Sequence, residues 1–234
     1  MSVTRQSAGQ NRLLDKLSAP DLDSLLPYFR PVELKGQGIL LDSGQKIECL
    51  YFPLEGLISI VSLMRDGSII EIGAIGREGA AGTPILLCRS EIRYRHCAQI
   101  GGTALQIGAD VVIQQCEQSP SLRQALLQYH GTLMVLSMQN AACNGLHNVE
   151  QRCCKWLLLT MDRVGLPCVE MTHERLGHLL GVRRATVSEV LKPLRDSGLL
   201  SYSRGAITVK DREGLMGRAC ECYALVAREY AWLQ

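Results

Sequence analysis

The 234-residue sequence lacks any apolar run long enough to span a bilayer, so we expect no transmembrane helix. Its opening stretch, MSVTRQSAGQNR, is polar and has no apolar core of the kind that an export signal requires. We therefore expect a protein of the cytoplasm without a membrane partner. The length is typical of two domains, each large enough to bury a core.

The motifs of common catalytic sites are also missing. The sequence has no nucleophile elbow, no phosphate-binding loop and no HExxH pair, and its five histidines have no carboxylate partners at motif spacing. These absences argue against an enzyme.

A strongly basic balance is absent as well, because the formal net charge is only +2. A chain with so little net charge can bind nucleic acid only through a local group of cations. The sequence offers one such group, which consists of Arg183, Arg184, Lys192, Arg195 and Arg204.

What the sequence does contain is a helix-turn-helix pattern between Met171 and Gly205. Thr172 is placed as the N-cap of a short amphipathic helix that ends at Gly181. Gly177 lies one turn earlier, where a missing side chain lets a second helix cross close to the first. The second helix is predicted from apolar residues at helical spacing, namely Val182, Val187, Val190, Leu191 and Leu194. Pro193 predicts a kink in its C-terminal half.

The opposite face of the second helix is polar, and its side chains can donate to guanine, accept from cytosine and contact phosphates. A solvated face on an ordinary helical hairpin is the alternative, but the glycine pair and the buried valines favour DNA reading. A short two-stranded hairpin follows, with its turn at Ser203, Arg204 and Gly205, and completes a winged helix. Arg204 either contacts a phosphate or is a solvated turn residue.

From Met171 to Val209 the chain resembles the DNA-binding domain of the Crp/Fnr superfamily of bacterial transcription regulators, through THERLGHLLGV, RRATVSEVLKPLRDSGLL and SRGAITV. The resemblance implies that bases are read by the first two turns of the second helix. Ala185 departs from the members that carry glutamate there, so the target sequence stays open. The predicted DNA-binding residues are Thr172, Arg183, Arg184, Ala185, Thr186, Ser188, Glu189, Lys192 and Arg204.

The residues from Val32 to Ile107 form short β segments separated by glycine-bearing turns, which predicts a small antiparallel roll. This block resembles the cyclic-nucleotide-binding β-roll of the same superfamily. In members that bind cyclic AMP, the loop corresponding to Gly76–Gly82 carries a carboxylate, and an Arg-Ser pair follows. Here Ala80 and Ala81 stand near the carboxylate position and IRYRHCAQ has no such pair, so cyclic AMP is not expected.

Four charged residues near this loop form a candidate effector site, with a carboxylate acceptor and three arginines that could face an anion: Glu78, Arg89, Arg93 and Arg95. A solvated loop is the alternative reading of these residues. For the domain as a whole, a ligand-free roll that serves as a dimer scaffold and an unidentified small effector remain equally open.

The segment after Pro120 repeats apolar residues in alternating steps of four and three, which is the seam of a coiled coil. We predict a long dimerisation helix whose interface is Leu122, Leu126, Tyr129, Leu133, Leu136, Asn140 and Cys143, with Asn140 fixing the register. A core helix lying on the roll is the alternative. Gly145 marks a predicted hinge, and a last helix is predicted over Arg212–Leu233.

The ten cysteines form no CxxC pair, and most are expected to be small buried hydrophobes. The close pairs Cys153-Cys154 and Cys220-Glu221-Cys222 are assigned to packing. An iron-sulfur cluster, which some family members hold with N-terminal cysteines, is not expected because no cysteine precedes position 49.

Two further thiols are candidates for metal binding or redox chemistry. Cys143 and His147 have helical ligand spacing, but two ligands do not make a metal site. Cys97, beside Arg95 and His96, is the one candidate for a redox thiol. The sequence thus predicts no metal and no cofactor.

Together these features predict an α+β protein with an N-terminal antiparallel β-roll resembling a cyclic-nucleotide-binding jelly roll, a long dimerisation helix and a C-terminal winged helix-turn-helix. The predicted domains are 1–118, 119–147 and 148–234. The expected function is that of a homodimeric, sequence-specific transcription regulator, independent of cyclic AMP. Its expected partners are a near-palindromic DNA duplex, itself and RNA polymerase. The alternatives are a ligand-binding signalling module whose winged helix contacts proteins, and a redox-responsive regulator that uses a cysteine thiol.

Overall fold

The computed structural model describes residues 3–233 and divides the chain into two compact units. Unit 1 contains residues 3–60, 74–135 and 230–233, and unit 2 contains residues 61–73 and 136–229. This division differs from the predicted domains, because a segment of the predicted roll belongs to unit 2 and the predicted dimerisation helix contributes to both units. Among the helices of residues 3–233, none is both long and apolar enough to cross a membrane.

Unit 1 opens with three short helices, α1 (Arg5–Ala8), α2 (Arg12–Asp15) and α3 (Ala19–Leu25). Asn11 connects this region to the strands. Its side-chain oxygen accepts from the Leu14 amide and so caps α2, while its Nδ2 atom donates to the carbonyls of Pro53 and Gly79, both at 2.9 Å. A fully buried amide that makes three hydrogen bonds fixes the helices on the roll.

Seven strands follow, β1 (Arg30–Leu34), β2 (Ile39–Leu41), β3 (Cys49–Pro53), β4 (Leu57–Leu63), β5 (Ile69–Ile75), β6 (Arg95–Ile100) and β7 (Gly102–Gly108). They form a three-stranded sheet in the order β1-β7-β3, with both pairings antiparallel, and a four-stranded sheet in the order β2-β6-β4-β5. The predicted antiparallel roll is therefore confirmed.

After α4 (Ala109–Gln118), the 27-residue helix α5 runs over Pro120–Leu146 and passes through the predicted hinge glycine. The dimer-interface prediction is wrong, because the predicted face of α5 is not available to a second copy. Six of its seven residues are buried within the single chain: Leu122, Leu126, Tyr129, Leu133, Leu136 and Cys143. The seventh, Asn140, is half-buried and hydrogen-bonded inside unit 2. An apolar stripe at this spacing serves a protein core as well as a dimer, and here it serves the core.

Unit 2 contains α6 (Val149–Val164), β8 (Cys168–Glu170), α7 (His173–Leu180), α8 (Arg184–Asp196), β9 (Leu200–Ser203), β10 (Ala206–Val209), α9 (Arg212–Met216) and α10 (Cys222–Glu229). The single C-terminal helix predicted over Arg212–Leu233 is wrong. The chain leaves the helix after Met216, restarts at Cys222, and ends in a 3₁₀ turn at Ala231–Leu233.

The segment 61–73 packs on the helices of unit 2. The Trp156 indole donates to Glu71 at 2.9 Å, and the Asn140 amide donates to the Ile72 carbonyl at 3.2 Å. Ile70 lies against Gly181, whose added Cβ would come within 3.0 Å of the Ile70 side chain. The tip of the β4-β5 hairpin therefore contacts the turn between α7 and α8.

Candidate DNA-binding surface

Helices α7 and α8 form the helix-turn-helix that the sequence predicted. The Thr172 hydroxyl accepts from the Arg175 amide at 3.2 Å and caps α7, which ends at Gly181 with a left-handed φ of +66°. A Cβ at Gly177 would lie 2.7 Å from the Val182 carbonyl oxygen, so only glycine allows the chain to turn this tightly. The glycine pair is thus explained by the geometry of the turn.

Helix α8 is divided into a buried and an exposed face. Its side chains at Val187, Leu191 and Leu194 are 0–1% exposed. The predicted reading face is open to solvent at Arg183, Arg184, Ala185, Glu189 and Lys192, and half-buried at Thr186 and Ser188. The helix continues through Pro193 to Asp196, so the proline lies in its last turn, away from the first two turns.

The hydroxyl of Ser188 is held by a residue that the sequence analysis did not single out. The Ser188 oxygen is 3.2 Å from the Arg184 carbonyl, to which it donates, and 2.9 Å from Nδ1 of His173. The His173 ring packs edge-on against Tyr202, with 4.8 Å between the ring centroids. Burial lowers the pKa of His173, and the charge of Arg184 lowers it further, so both favour the neutral ring. These contacts between α7, α8 and β9 depend on tertiary structure, and no local pattern signals them.

The wing is a three-stranded antiparallel sheet in the order β8-β10-β9, so the prediction of two strands missed β8. Its tip is a two-residue turn in which Arg204 has φ +49° and Gly205 has φ +79°. Two left-handed residues in succession are typical of the type I′ hairpin turn. The Arg204 side chain is exposed at this tip.

Not every cation of the predicted basic group is available to a ligand. The Arg195 guanidinium donates to Asp196 at 2.8 Å and 3.0 Å and to the Tyr202 hydroxyl at 3.0 Å, and it lies 5.2 Å from the Tyr202 ring centroid. Arg195 therefore links β9 to the end of α8. The other four cations of the predicted group are exposed on this surface, namely Arg183, Arg184, Lys192 and Arg204.

The predicted effector residues serve local structure. Glu78 is buried and accepts from the Gly76 amide at 3.0 Å within its own loop. Arg95 makes a two-bond ion pair with Asp42 at 2.9 Å and 3.0 Å, and this hydrogen bonding lowers the pKa of Asp42. Arg89 and Arg93 are exposed. The structure gives Glu78 and Arg95 partners of their own, which weakens the prediction of a shared anion site.

The cysteines considered in the sequence divide into two groups. Cys153 and Cys154 are fully buried as expected, and burial raises the pKa of Cys154 to about 12. Cys97 is half-buried, and the neighbouring Arg95 is already engaged by Asp42. A second group is brought together from separate segments: Cys143, His147, Cys220 and Cys222. Sequence spacing related Cys143 to His147 and Cys220 to Cys222, but no local pattern joined the two pairs.

Comparison with known proteins agrees with this geometry. Residues 151–218 match the model of the Crp-like helix-turn-helix domain. The chain is 23% identical over 209 residues to the cAMP-activated global transcriptional regulator CRP of Salmonella typhimurium, a match that covers 81% of this chain and 94% of that protein.

Two solved structures share the fold. FixK2 from Bradyrhizobium japonicum aligns with a TM-score of 0.68 at 16% identity, over 82% of this chain and 98% of that one. The c-di-GMP responsive global regulator CLP from Xanthomonas campestris aligns with a TM-score of 0.67 at 18% identity, over 82% and 99%. Unit 2 therefore contains a Crp-like helix-turn-helix domain, and the chain as a whole is similar to a transcription regulator of the Crp type and shares the fold of Crp/Fnr proteins.

Proposed function

We propose that this protein is a homodimeric, sequence-specific DNA-binding regulator that inserts the first two turns of α8 into the major groove. The observation that carries this proposal is the division of α8, in which Glu189 is exposed opposite the buried Val187 and Leu191, and Arg184 is exposed at the first residue of the helix. A helix held in this way presents its side chains outward on a rigid support, as readers of base edges do.

Each exposed side chain has a role in this proposal. Arg184 donates to a guanine edge, and Glu189 accepts from a cytosine amino group. Arg183, Lys192 and Arg204 contact phosphates, and so does the Thr172 hydroxyl, whose hydrogen is free to donate while its oxygen accepts from Arg175. Ser188, held by His173, adds a hydroxyl of fixed position beside Arg184.

The dimer forms through the outer face of α5 in this proposal. Because the predicted seam is buried, the helix offers a second copy its opposite side. Met134 is 51% exposed and Met138 is 63% exposed there. These residues belong to a stripe of apolar and small side chains that again alternates steps of four and three: Leu127, Gly131, Met134, Met138 and Ala141. Self-association along this stripe would place two reading helices on a near-palindromic site, with half-sites about 34–36 Å apart.

We further propose that cyclic AMP is not the effector. Ala80 and Ala81 are fully buried near the position where a carboxylate would hold the ribose, and Glu78 is bound to its own loop. CRP of Salmonella typhimurium is named for activation by cAMP, and CLP of Xanthomonas campestris is named for its response to c-di-GMP. Similarity to these proteins therefore does not fix the effector. RNA polymerase as a partner and the cytoplasm as the compartment follow from a role at promoters.

Selection of bound sequences from a random DNA library by the purified full-length chain tests this function. The expected result is enrichment of one near-palindromic motif by the wild-type protein and of none by Arg184→Ala. The salt dependence of binding is measured on the enriched duplex, because a DNA contact weakens steeply as salt is added. Failure to enrich any sequence would contradict the proposal and favour a signalling module that contacts proteins.

A further inference from the structure

Four potential metal ligands meet in unit 2, away from the DNA-reading face of α8. The first is Cys143, in the last turn of α5, and His147 follows the end of that helix. Cys220 lies in the connection between α9 and α10, and Cys222 is the first residue of α10. One ligand atom from each residue lies within 4.8 Å of all the others. We call this group the Cys₃His cluster.

The spacing of these atoms matches that of one tetrahedral ion. The Cys143 and Cys220 sulfur atoms are 3.6 Å apart, and the Cys222 sulfur is 3.6 Å from Nδ1 of His147. Zinc bonds of about 2.3 Å to sulfur and 2.0–2.1 Å to nitrogen place tetrahedral ligands about 3.8 Å apart for two sulfurs and about 3.6 Å apart for sulfur and nitrogen. Small side-chain movements therefore suffice to complete the coordination.

The histidine is already oriented as a ligand. Nε2 of His147 is 3.2 Å from a carboxylate oxygen of Glu221. A carboxylate oxygen accepts, so this nitrogen carries the hydrogen, and in the neutral ring the lone pair of Nδ1 faces the Cys222 sulfur. Metal-bound histidines commonly donate their other N–H to a carboxylate in this manner.

The surroundings also supply the charge that a thiolate site needs. Lys155 is only 7% exposed, and its ammonium donates to the Cys143 sulfur at 3.2 Å and to the Asn140 oxygen at 2.9 Å. The Gln139 amide donates to the Cys222 sulfur at 3.1 Å. Three thiolates with one Zn²⁺ carry a net charge of −1, which the lysine neutralises. Charge neutralisation in such a site explains why a buried lysine donates to a cysteine sulfur.

We propose that the Cys₃His cluster binds one structural Zn²⁺ ion, a site independent of the DNA-binding function proposed above. Thiolate and imidazole ligands favour zinc over magnesium or calcium, and four protein ligands leave no open position for catalysis. On binding, each thiol that is still protonated loses its proton to solvent. The ion fastens the end of α5 to the segment before α10, two parts of the chain that are far apart in sequence.

Metal analysis of the full-length protein, purified without chelators and without oxygen, tests the proposal. We expect about one zinc per chain in the wild type and a loss of zinc in Cys222→Ser. Cys168→Ser, which changes an exposed cysteine of the same unit, is the matched control and keeps its zinc. In metal-free wild-type protein, added Co²⁺ is expected to produce thiolate charge-transfer absorption and the visible bands of a tetrahedral site.

A second variant guards against loss of folding. The Glu221 side chain is 73% exposed, so Glu221→Gln leaves the core untouched, and we expect it to weaken Co²⁺ affinity by about 10–100-fold at the same stoichiometry. Absence of both zinc and the Co²⁺ signal in the wild type would overturn the proposal. So would iron with inorganic sulfide, or a disulfide between Cys143 and Cys220 in the native protein.

Discussion

Among single residues, Arg184 is the side chain on which the proposed base reading depends most. It is the first residue of α8 and is exposed, and its positive charge lowers the pKa of His173. A cation at the start of a groove-reading helix is placed to form two hydrogen bonds with one guanine.

We predict that Arg184→Ala weakens binding to the selected duplex by about 1–3 kcal/mol per half-site, or roughly 5–150-fold, because a two-bond contact to guanine is lost. Binding to random DNA should change little. Fluorescence anisotropy on both duplexes measures this, with Arg89→Ala, an exposed arginine of unit 1, as the control. An equal loss on random DNA would mean that Arg184 contacts only the backbone.

His96 gives a prediction about stability and pH. It is buried in β6, its Nδ1 donates to the Tyr94 carbonyl at 3.0 Å, and burial lowers its pKa to about 4. Because the unfolded chain binds this proton near pH 6.5 and the folded chain does not, stability is fully present above that pH and falls as the pH drops toward 4.

Between pH 7 and pH 5 the free energy of unfolding should therefore fall by about 2 kcal/mol through this residue alone. Urea unfolding of the wild type and of His96→Gln at both pH values measures the difference. The variant should be less stable at pH 7 but lose less stability on acidification. A pH dependence identical in the two proteins would contradict this assignment.

The wing and α5 have separate roles in the proposed function, the first in contacting phosphates and the second in self-association. The wing turn contains a non-glycine residue in the left-handed region, at Arg204. A side chain at this φ has a conformational cost that glycine would not have.

We predict that Arg204→Gly keeps the wing folded and its thermal midpoint unchanged or slightly raised, since glycine adopts this φ without strain. DNA affinity should fall by a similar factor on specific and random duplexes, with the salt slope smaller by about 1 for each lost phosphate contact. Calorimetry and anisotropy at several salt concentrations measure both effects. An unchanged salt slope would assign Arg204 to solvent.

For α5, we predict that Met138→Glu converts the proposed dimer to a monomer, because it places two carboxylates on the apolar stripe along which two copies are proposed to meet. Sedimentation velocity measures the change. Met216→Glu, at another methionine that is 44% exposed, is the matched control and should remain dimeric. A dimer that survives Met138→Glu would show that another surface mediates association.

The comparison of sequence with structure separates local from long-range information. The Gly177 and Gly181 pair, the Thr172 cap and the apolar face of α8 are local patterns, so the helix-turn-helix was predictable. The partner of the α5 seam was not predictable. A seven-residue repeat indicates that a stripe of side chains is buried, but it does not indicate whether the chain's own core or a second copy buries it. The Cys₃His cluster was also missed, since it depends on the break in the chain after Met216 that places Cys220 beside α5.

For the whole molecule, the account requires two reading helices to act on one duplex. In the proposed dimer, the exposed cations Arg183, Lys192 and Arg204 would supply about six phosphate contacts. Affinity should then fall by about a thousandfold between 50 and 200 mM salt, with a slope of about −5 in a double-logarithmic plot. Anisotropy titrations over this range measure the slope, and a slope near zero would be incompatible with DNA binding by this surface.

Methylation interference on the selected duplex reports on major-groove reading by α8, because it modifies guanine N7 in the groove where α8 is proposed to bind. We expect methylation to block wild-type binding at guanines in two regions whose centres are about 34–36 Å apart. Binding that is indifferent to guanine N7 methylation, or sensitive in only one region, would contradict this expectation.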